Sequence, residues 1–357
     1  MLRHVLTVAV SSLVLALGMA PHVMAGDASG TLVILNKSDH TASLLDRTTG
    51  EELAVLPTEP APHEAAVSPD QSIAVVANYG PRSEPGSTLT VIDVAQAEVV
   101  RTVPLRHGEQ VFHRPHGLRF MPDGERIVVT AEAEQAVLVV DVARGRVTKV
   151  LKTGQEISHM VDLDPAGQRA FVGNIGSGTM TALDLVTGEK IADVATGEGA
   201  EGVGVTPDGE EVWVTNRSAD TVTVLDAESL EVVATLDAAS FPIRVAFTPD
   251  GSHALVSCAR SGDVAVFDTA ERELVRRIPM EVTATEKSEY RLFGDRFGDS
   301  PVPIGILIPP DGRQAYVANT NADIVTVIDL ESWKITGRLT AGAEPDGMAF
   351  SSLRPDS

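Results

Sequence analysis

The sequence has very little of three things: cysteine, aromatic side chains and positive charge. Cys258 is the one cysteine among 357 residues, so no disulfide can form within the chain. Lysine and arginine number 28 against 50 aspartate and glutamate residues, and the formal net charge is −22. A surface of that sign repels nucleic acid and anionic lipid headgroups, whereas it attracts cationic partners. We therefore expect no nucleic-acid partner.

Long apolar runs are also missing, with one exception near the amino terminus. After a short positive start, the stretch Val5–Ala20 is almost wholly apolar, and VMA at 23–25 then offers small residues to a signal peptidase. This pattern predicts a secretory signal peptide over residues 1–25, cleaved after Ala25. Because no later run is long enough to span a bilayer, we expect a periplasmic or secreted mature chain, residues 26–357, without a membrane span.

Helical periodicity is absent as well, and short strands take its place. VTPDG at 205–209 returns as FTPDG at 247–251, 42 residues later. After each copy come β-rich runs of four to six residues separated by Gly, Asn, Asp and Ser, which is typical of antiparallel strands. Pro fixes φ at the first turn position and Asp suits the next, so each Pro-Asp pair predicts a tight turn. The turn recurs at Pro69, Pro122, Pro207, Pro249 and Pro310, with a degenerate copy at Pro165.

Four strands in a repeat of about 42 residues predict a β-propeller. Residues 31–56 supply three strands and residues 344–352 supply one, so the two ends together complete a blade. We therefore predict an all-β, seven-bladed β-propeller with four antiparallel strands per blade, closed by a blade shared between the termini. The six complete repeats begin near Glu64, Gly117, Met160, Gly202, Arg244 and Gly305.

Four segments carry a recognisable repeat: VVANYG, FVGNIGSGTM, VWVTNRSADTVTVLD and AYVANTNADIVTVIDL. They resemble the YVTN-type repeat of exported bacterial propellers, the YncE-like group, and the resemblance covers essentially all of residues 30–352. It implies a propeller fold but leaves function open, because the group includes binding proteins, surface proteins and enzymes. Two blades depart from the repeat, since Glu132 and Cys258 stand where other blades carry Asn78, Asn174, Asn216 and Asn319.

Every long connection falls on one face of the predicted propeller. We label the strands a to d from the axis outward, so the Pro-Asp turns join strands a and b on the other face. The long loops, at 79–88, 105–116 and 280–303, mark the working face, because binding and chemistry concentrate on loops. The third loop either forms a lid across the channel mouth or is simply anchored by its aromatic side chains. Its aromatic and cationic residues are Tyr290, Arg291, Phe293, Arg296 and Phe297.

The residue that opens strand a on this face is polar in five consecutive blades and apolar in the other two. Around the ring these residues are Asp346, His63, His116, His159, Glu201, Ile243 and Ile304. Three imidazoles flanked by carboxylates are a usual ligand set for copper, zinc or iron. The same groups can instead shuttle protons, or merely solvate a polar mouth. His113 and His107 are further candidate ligands, whereas strand alternation predicts that Met160 points away from the axis.

Three arginines, Arg217, Arg244 and Arg260, are predicted beside the apolar positions. Together with Asp346 they are candidates for binding a ligand, with the arginines holding an anionic group opposite the histidines. Pairing with nearby acids is the alternative. Cys258 is predicted to be an inert thiol, since no Cys-His motif accompanies it.

Two classes of function remain. The first is a periplasmic binding protein, expected to be monomeric, that holds a small ligand, a transition metal or an envelope protein at the channel mouth. The second is an enzyme at the same mouth: a metal-dependent oxidoreductase, or a lyase or lactone hydrolase. Its candidate acid–base groups are His63, His116, His159 and Glu201.

Overall fold

The computed structural model describes residues 29–283, 286, 288 and 292–355. Within them, seven four-stranded sheets and one two-stranded sheet hold the strands. Successive sheets contact each other through their innermost strands, so they form blades around a central channel. The predicted all-β, seven-bladed propeller is therefore confirmed. The predicted signal peptide, and Tyr290 and Arg291 of the third long loop, lie outside the described residues.

The shared blade and blades 1 to 3 contain the first seventeen strands. These are β1 (Thr31–Asn36), β2 (Thr41–Asp46), β3 (Glu52–Pro57), β4 (Pro62–Val67), β5 (Ile73–Asn78), β6 (Thr88–Asp93), β7 (Glu98–Pro104), β8 (Arg106–His107), β9 (Gln110–Val111), β10 (Pro115–Phe120), β11 (Arg126–Ala131), β12 (Ala136–Asp141), β13 (Arg146–Lys152), β14 (Ser158–Leu163), β15 (Arg169–Asn174), β16 (Thr179–Asp184) and β17 (Lys190–Ala195). The pair β8–β9 is a small hairpin within the second long loop.

Blades 4 to 6 and the closing strand complete the ring. Their strands are β18 (Ala200–Val205), β19 (Glu211–Asn216), β20 (Thr221–Asp226), β21 (Val232–Asp237), β22 (Pro242–Phe247), β23 (His253–Cys258), β24 (Asp263–Asp268), β25 (Glu273–Pro279), β26 (Pro303–Leu307), β27 (Gln314–Asn319), β28 (Ile324–Asp329), β29 (Lys334–Thr340) and β30 (Pro345–Ser351). Short 3-10 helices lie at Glu132–Glu134 and Gly294–Phe297. None of the helices in the described part of the chain has the length and hydropathy needed to cross a membrane.

The two ends of the chain close the ring in one blade. Strand β30 pairs with β1, so that Phe350 lies opposite Leu32 and Ser351 opposite Thr31. The Thr31 hydroxyl also donates to the Leu353 carbonyl over 2.7 Å. This pairing removes the free sheet edge that an open array of blades would expose.

The core lies between the blades. Strands b and c are almost completely buried on both faces, whereas the outermost strands alternate between exposed and half-buried residues. In blade 4, the Trp213 ring packs edge-on against Phe247 and Phe267, with centroids 5.7 and 6.0 Å away. Burying a large apolar side chain contributes roughly 1.5–3 kcal/mol, so the stacked blades form a rigid support for the loops of the working face.

Every blade enters its innermost strand through the same turn. The residue before strand a has a left-handed backbone, and its carbonyl accepts a hydrogen bond from the residue that follows strand b. In Ile157 and Val302 (φ 57° in both) the left-handed conformation is costly, because each is β-branched. The turn residues are Ala61, Arg114, Ile157, Gly199, Phe241, Val302 and Glu344, and their donors are Tyr79, Glu132, Ile175, Arg217, Ala259, Thr320 and Lys37.

A β-bulge follows this turn in every blade, since the pairing of strands a and b shifts register at the start of strand a. Bulges re-aim side chains next to functional sites. The second and third residues of strand a therefore both face the channel. Met160, a third residue, lines the axial cavity together with Glu64 and Arg244. The expectation that alternation turns Met160 away from the axis was wrong for this reason.

Candidate metal centre at the channel mouth

The three histidines at the second position of strand a in blades 1 to 3 are brought together. The ring centroids of His63 and His116 are 5.2 Å apart, and those of His116 and His159 are 3.6 Å apart. Tyr79 packs against the first two, at 4.4 Å from His63 and 5.5 Å from His116. The cluster exists because equivalent positions of adjacent blades lie side by side around the channel.

His159 lies between two carboxylates. Its Nδ1 forms a short hydrogen bond with Glu132 Oε1, and its Nε2 lies 3.4 Å from Glu201 Oε1. The Tyr79 hydroxyl donates to the other oxygen of Glu132 over 2.7 Å. Burial by itself lowers the pKa of His159, but Glu132 and Glu201 outweigh it, and the pKa is raised.

Glu201 contacts two arginine side chains in addition to His159. Arg217 Nη1 lies 2.7 Å from its Oε2, and Arg244 Nη1 lies 3.3 Å from its Oε1. Burial alone would raise the pKa of Glu201, but Arg217, His159 and Arg244 lower it to about 2. The carboxylate therefore stays ionised at neutral pH although its side chain is buried.

Arg244 bridges the channel. Its Nε and Nη2 lie 3.0 and 2.6 Å from Glu64 Oε1 in blade 1, while its Nη1 faces Glu201 in blade 4. Burial raises the pKa of Glu64, and Arg244 partly offsets the rise. On the far side of this bridge, Glu64 and Arg244 line a cavity of about 540 Å³ that also contacts the Pro-Asp turns.

His63 and His116 are the uncharged members of the cluster. His63 Nδ1 lies 2.8 Å from the Ala61 carbonyl, which can only accept, so Nδ1 carries the proton. Burial lowers the pKa of His63 to about 4, helped by Lys37 and opposed by Asp346. Burial and the neighbouring histidines hold the pKa of His116 well below its usual range. His116 Nδ1 is buried and has no hydrogen-bond partner among the described residues.

One group within the described residues has its ligand atoms close enough to share a metal ion. It consists of His116, Glu132 and His159, whose ligand atoms all lie within 4.8 Å of one another, and all three residues are buried. His63 and Glu201 border this group without belonging to it. Two imidazoles and a carboxylate match the donors that zinc, copper and non-haem iron accept in proteins.

Glu132 was missed as a site residue because the sequence alignment of blade 2 was off by one position. In the structure Pro115 pairs with Ala131 as Pro62 pairs with Asn78, so Ala131 takes the asparagine position. Glu132 is the next residue, equivalent to Tyr79. The residue after strand b carries the signal, because in four of the seven blades it contacts Asp346, His63, His159 or Glu201. These four residues are Lys37, Tyr79, Glu132 and Arg217.

The other candidate ligands of the second long loop lie apart from the cluster. His113 Nδ1 lies 2.9 Å from Glu134 Oε1, and the His113 amide donates to the same carboxylate. His107 lies in the exposed β8–β9 hairpin. Asp346, at the start of β30, is buried, with Lys37 Nζ 3.5 Å from its Oδ2, whereas its Oδ1 has no hydrogen-bond partner within the part of the chain that the structure describes.

The apolar side of the mouth is covered by the third long loop. Phe297 and Val302 of this loop are buried against Ile243 and Ile304, the two apolar residues at the second position of strand a. Arg260 lies over the Phe297 ring at 5.2 Å and is exposed to solvent. The aromatic side chains thus anchor the loop, while its role as a lid and the anion-binding role of Arg217, Arg244 and Arg260 stay predictions.

Fold and site together define an acidic seven-bladed propeller with a histidine–carboxylate cluster at one mouth of its channel. The YncE-like beta-propeller family matches residues 4–162 and 127–292. The chain belongs to this family, as its repeats predicted. No curated protein sequence matches the chain significantly.

Several solved structures share the fold. Hydrazine synthase from Kuenenia stuttgartiensis is 19% identical, with a TM-score of 0.68 over 84% of this chain and 92% of that chain. A protein of unknown function from Desulfotomaculum acetoxidans DSM 771 is 15% identical, with a TM-score of 0.73 over 92% and 100%. The periplasmic gluconolactonase PpgL of Pseudomonas aeruginosa is 18% identical, with a TM-score of 0.71 over 90% and 99%. Identities this low establish a similar fold alone.

Proposed function

We propose that this chain is an exported propeller that binds a transition metal ion, copper, zinc or iron, at the channel mouth through His116, Glu132 and His159. The observation that carries the proposal is the buried Nδ1 of His116, which has no hydrogen-bond partner among residues 29–283, 286, 288 and 292–355 and lies beside two other ligand-type side chains. Leaving a buried polar atom unpaired costs about 1–3 kcal/mol of folding stability. A metal ion bound to His116 Nδ1 would remove this cost.

The surroundings suit a bound cation. His116 is held uncharged, with its pKa well below the usual range, so it offers a lone pair without first losing a proton. Glu201 faces the second nitrogen of His159, which is the orienting contact that a ligand histidine usually has. A metal ion held here would supply Lewis acidity or redox chemistry.

Export and charge support the same function. The apolar stretch at 5–20 and the small residues at 23–25 favour secretion into the periplasm, where the ion would be captured outside the cytoplasm. The net charge of −22 draws cations towards the protein and raises their local concentration.

The test is metal content and metal response. Protein purified from the periplasm without chelator is expected to carry close to one transition metal ion per chain by elemental analysis. After chelation, the ion that rebinds should raise the melting temperature, because a ligand at 100 times its Kd adds about 2.7 kcal/mol of stability. His116→Ala should abolish both effects.

His113→Ala is the matched control, since His113 lies in the same loop but bonds Glu134. It should leave the metal content unchanged. Metal-free periplasmic protein whose melting temperature ignores zinc, copper and iron would refute the proposal.

An enzyme at the same mouth is the second candidate, favoured by the two carboxylates that bracket His159. Such an arrangement holds an imidazole ready to give or take a proton. The fold similarity to a gluconolactonase makes lactone hydrolysis the first reaction to assay. Turnover of glucono-δ-lactone that falls at least a hundredfold in His159→Gln would favour the enzyme, whereas a rate equal to that of buffer would exclude this reaction.

A further inference from the structure

A second pocket lies on the working face beside His63, and the proposed metal function does not use it. It is a cavity of about 710 Å³ between the first two long loops, Leu292 of the third long loop and the shared blade. Its titratable lining consists of Lys37, His40, His63, Tyr79, Arg82, Arg114 and Glu344.

The charge of this pocket is opposite to that of the chain. Among the described residues, three permanent cations, Lys37, Arg82 and Arg114, line the pocket with one carboxylate, Glu344, although acids outnumber bases 50 to 28 overall. Lys37 is held by Asp346 at 3.5 Å and by Glu344 at 4.0 Å. The two arginines are therefore the charges left for a ligand.

Neither arginine has a carboxylate partner among the described residues. Arg114 lies over the Tyr79 ring at 4.7 Å, and its Nη2 donates to two carbonyls, those of Pro81 and Arg82, at 3.5 and 3.2 Å. Arg82 is exposed at the rim. Two guanidinium groups without acid partners are the usual way to hold a carboxylate or phosphate in a defined orientation.

The rim is fixed by backbone contacts rather than by flexible side chains. A Cβ on Gly80 would meet the Gly86 nitrogen at 2.1 Å, and a Cβ on Gly86 would meet the Asn78 carbonyl at 2.0 Å. The Arg114 amide also donates to the Gly86 carbonyl over 2.8 Å. The loop at 79–88 thus passes so close to itself that only glycine fits at these two positions, and this fixes the backbone that carries Arg82 and Arg114 before a ligand arrives.

His63 adds a hydrogen-bond acceptor to the pocket, in contrast to the donors of the two arginines. Because its Nδ1 donates to the Ala61 carbonyl, its Nε2 is a hydrogen-bond acceptor, and the ring lines the pocket. An acceptor beside two cationic donors fits a ligand that carries both an anionic group and a hydroxyl group. We propose that this pocket binds a small hydroxylated organic acid, with its carboxylate on Arg82 and Arg114 and its hydroxyl donating to His63.

The test uses two probes that differ in one hydroxyl group. L-malate and succinate are titrated by calorimetry into chelator-treated full-length protein, and inorganic phosphate is the third arm. We expect malate to bind about tenfold more tightly than succinate or phosphate, because the malate hydroxyl donates to His63 Nε2 and succinate leaves that acceptor unpaired.

Variants separate the two contacts. Arg82→Met and Arg114→Met should each weaken malate and succinate alike by about tenfold, whereas His63→Ala should remove only the preference for malate. Arg126→Met is the control, since Arg126 pairs with Asp123 on the opposite face and should change nothing. Thermal melts of every variant establish that it is folded.

Three outcomes would overturn the proposal: no malate binding, malate binding that the two arginine variants leave intact, or phosphate binding as tightly as malate. The result is independent of the metal site, because the titration is done without metal and His116→Ala is expected to bind malate normally. Failure of one proposal can therefore be told apart from failure of the other.

Discussion

Arg244 and Glu64 are 180 residues apart in the chain, yet they form an ion pair across the channel, with Nη2 2.6 Å from Oε1. The same guanidinium reaches Glu201, whose oxygen lies 3.3 Å from Nη1. Blades 1, 4 and 5 are thus connected by one buried cation. Since Glu201 also faces His159, this carboxylate connects Arg244 to the histidine cluster.

The first prediction concerns Glu201→Gln. This change leaves Arg244 buried with one carboxylate partner instead of two, and breaking a buried pair from one side costs about 3 kcal/mol. We expect a loss of that size in the free energy of unfolding, measured with urea at pH 7. Glu210→Gln, at an exposed turn of the same blade, is the control and should stay within about 0.5 kcal/mol of the parent. Equal effects of the two changes would contradict the network.

The second prediction is the pH dependence of this contribution. The folded-state pKa of Glu201 is lowered from 4.5 to about 2, so the unfolded chain binds the extra proton between these values. The stabilisation is present above pH 4.5 and is lost as the pH falls towards 2, by up to about 3 kcal/mol in total. The stability difference between the parent and Glu201→Gln should therefore shrink between pH 5 and pH 3 in chelator-treated protein. A difference that does not change over this interval would show that Glu201 is not held ionised.

The fold could be predicted because each repeat is marked by short sequence patterns, a Pro-Asp turn and the β-rich runs beside it. A tight turn needs Pro and Asp, so Pro207 and Pro249 mark equivalent points of two blades without any knowledge of long-range contacts. The same spacing showed that residues 31–56 lack an innermost strand, which the pairing of β1 with β30 supplies.

The site could be predicted only in part. His116 and His159 were found because they lie at a fixed distance from the Pro-Asp turn of their blades. Glu132 was not found, since it was assigned to the asparagine position, which lies nine residues after the turn proline and is occupied by Ala131 in blade 2. The direction of Met160 was predicted wrongly because the bulge at the start of strand a breaks strict alternation. The residue types around a bulge do not reveal where it lies.

The third prediction concerns Cys258. Burial raises the pKa of its thiol to about 12, with Asp263 adding to the effect and Arg277 opposing it. The thiol also donates to the Ala238 carbonyl over 3.0 Å. We expect no reaction of the native protein with a disulfide reagent at pH 8 and one thiol per chain in guanidinium chloride, because the thiolate is the reactive form. Rapid labelling of native protein would show that blade 5 opens locally.

The fourth prediction tests the spacing that brings His116 and His159 together. Gly117 follows His116, and a Cβ there would meet the His159 carbonyl and the Met160 Cα, each at 2.7 Å. Because these are backbone atoms of the next blade, Gly117→Ala has to push blade 3 away from blade 2. We expect a loss of about 1–3 kcal/mol in stability, as for other overpacked interiors. The metal-induced rise in melting temperature should also shrink.

Gly337→Ala is the matched control for this change, since its Cβ would find nothing closer than the Val327 Cγ2 at 3.7 Å. It should leave the metal response intact and change the stability by less than about 1 kcal/mol, because alanine suits a strand interior better than glycine. If Gly117→Ala kept both the stability and the metal response of the parent, the contact between blades 2 and 3 would not set the geometry of the cluster. A loss of metal response with stability retained would instead assign the close approach at Gly117 to the site alone.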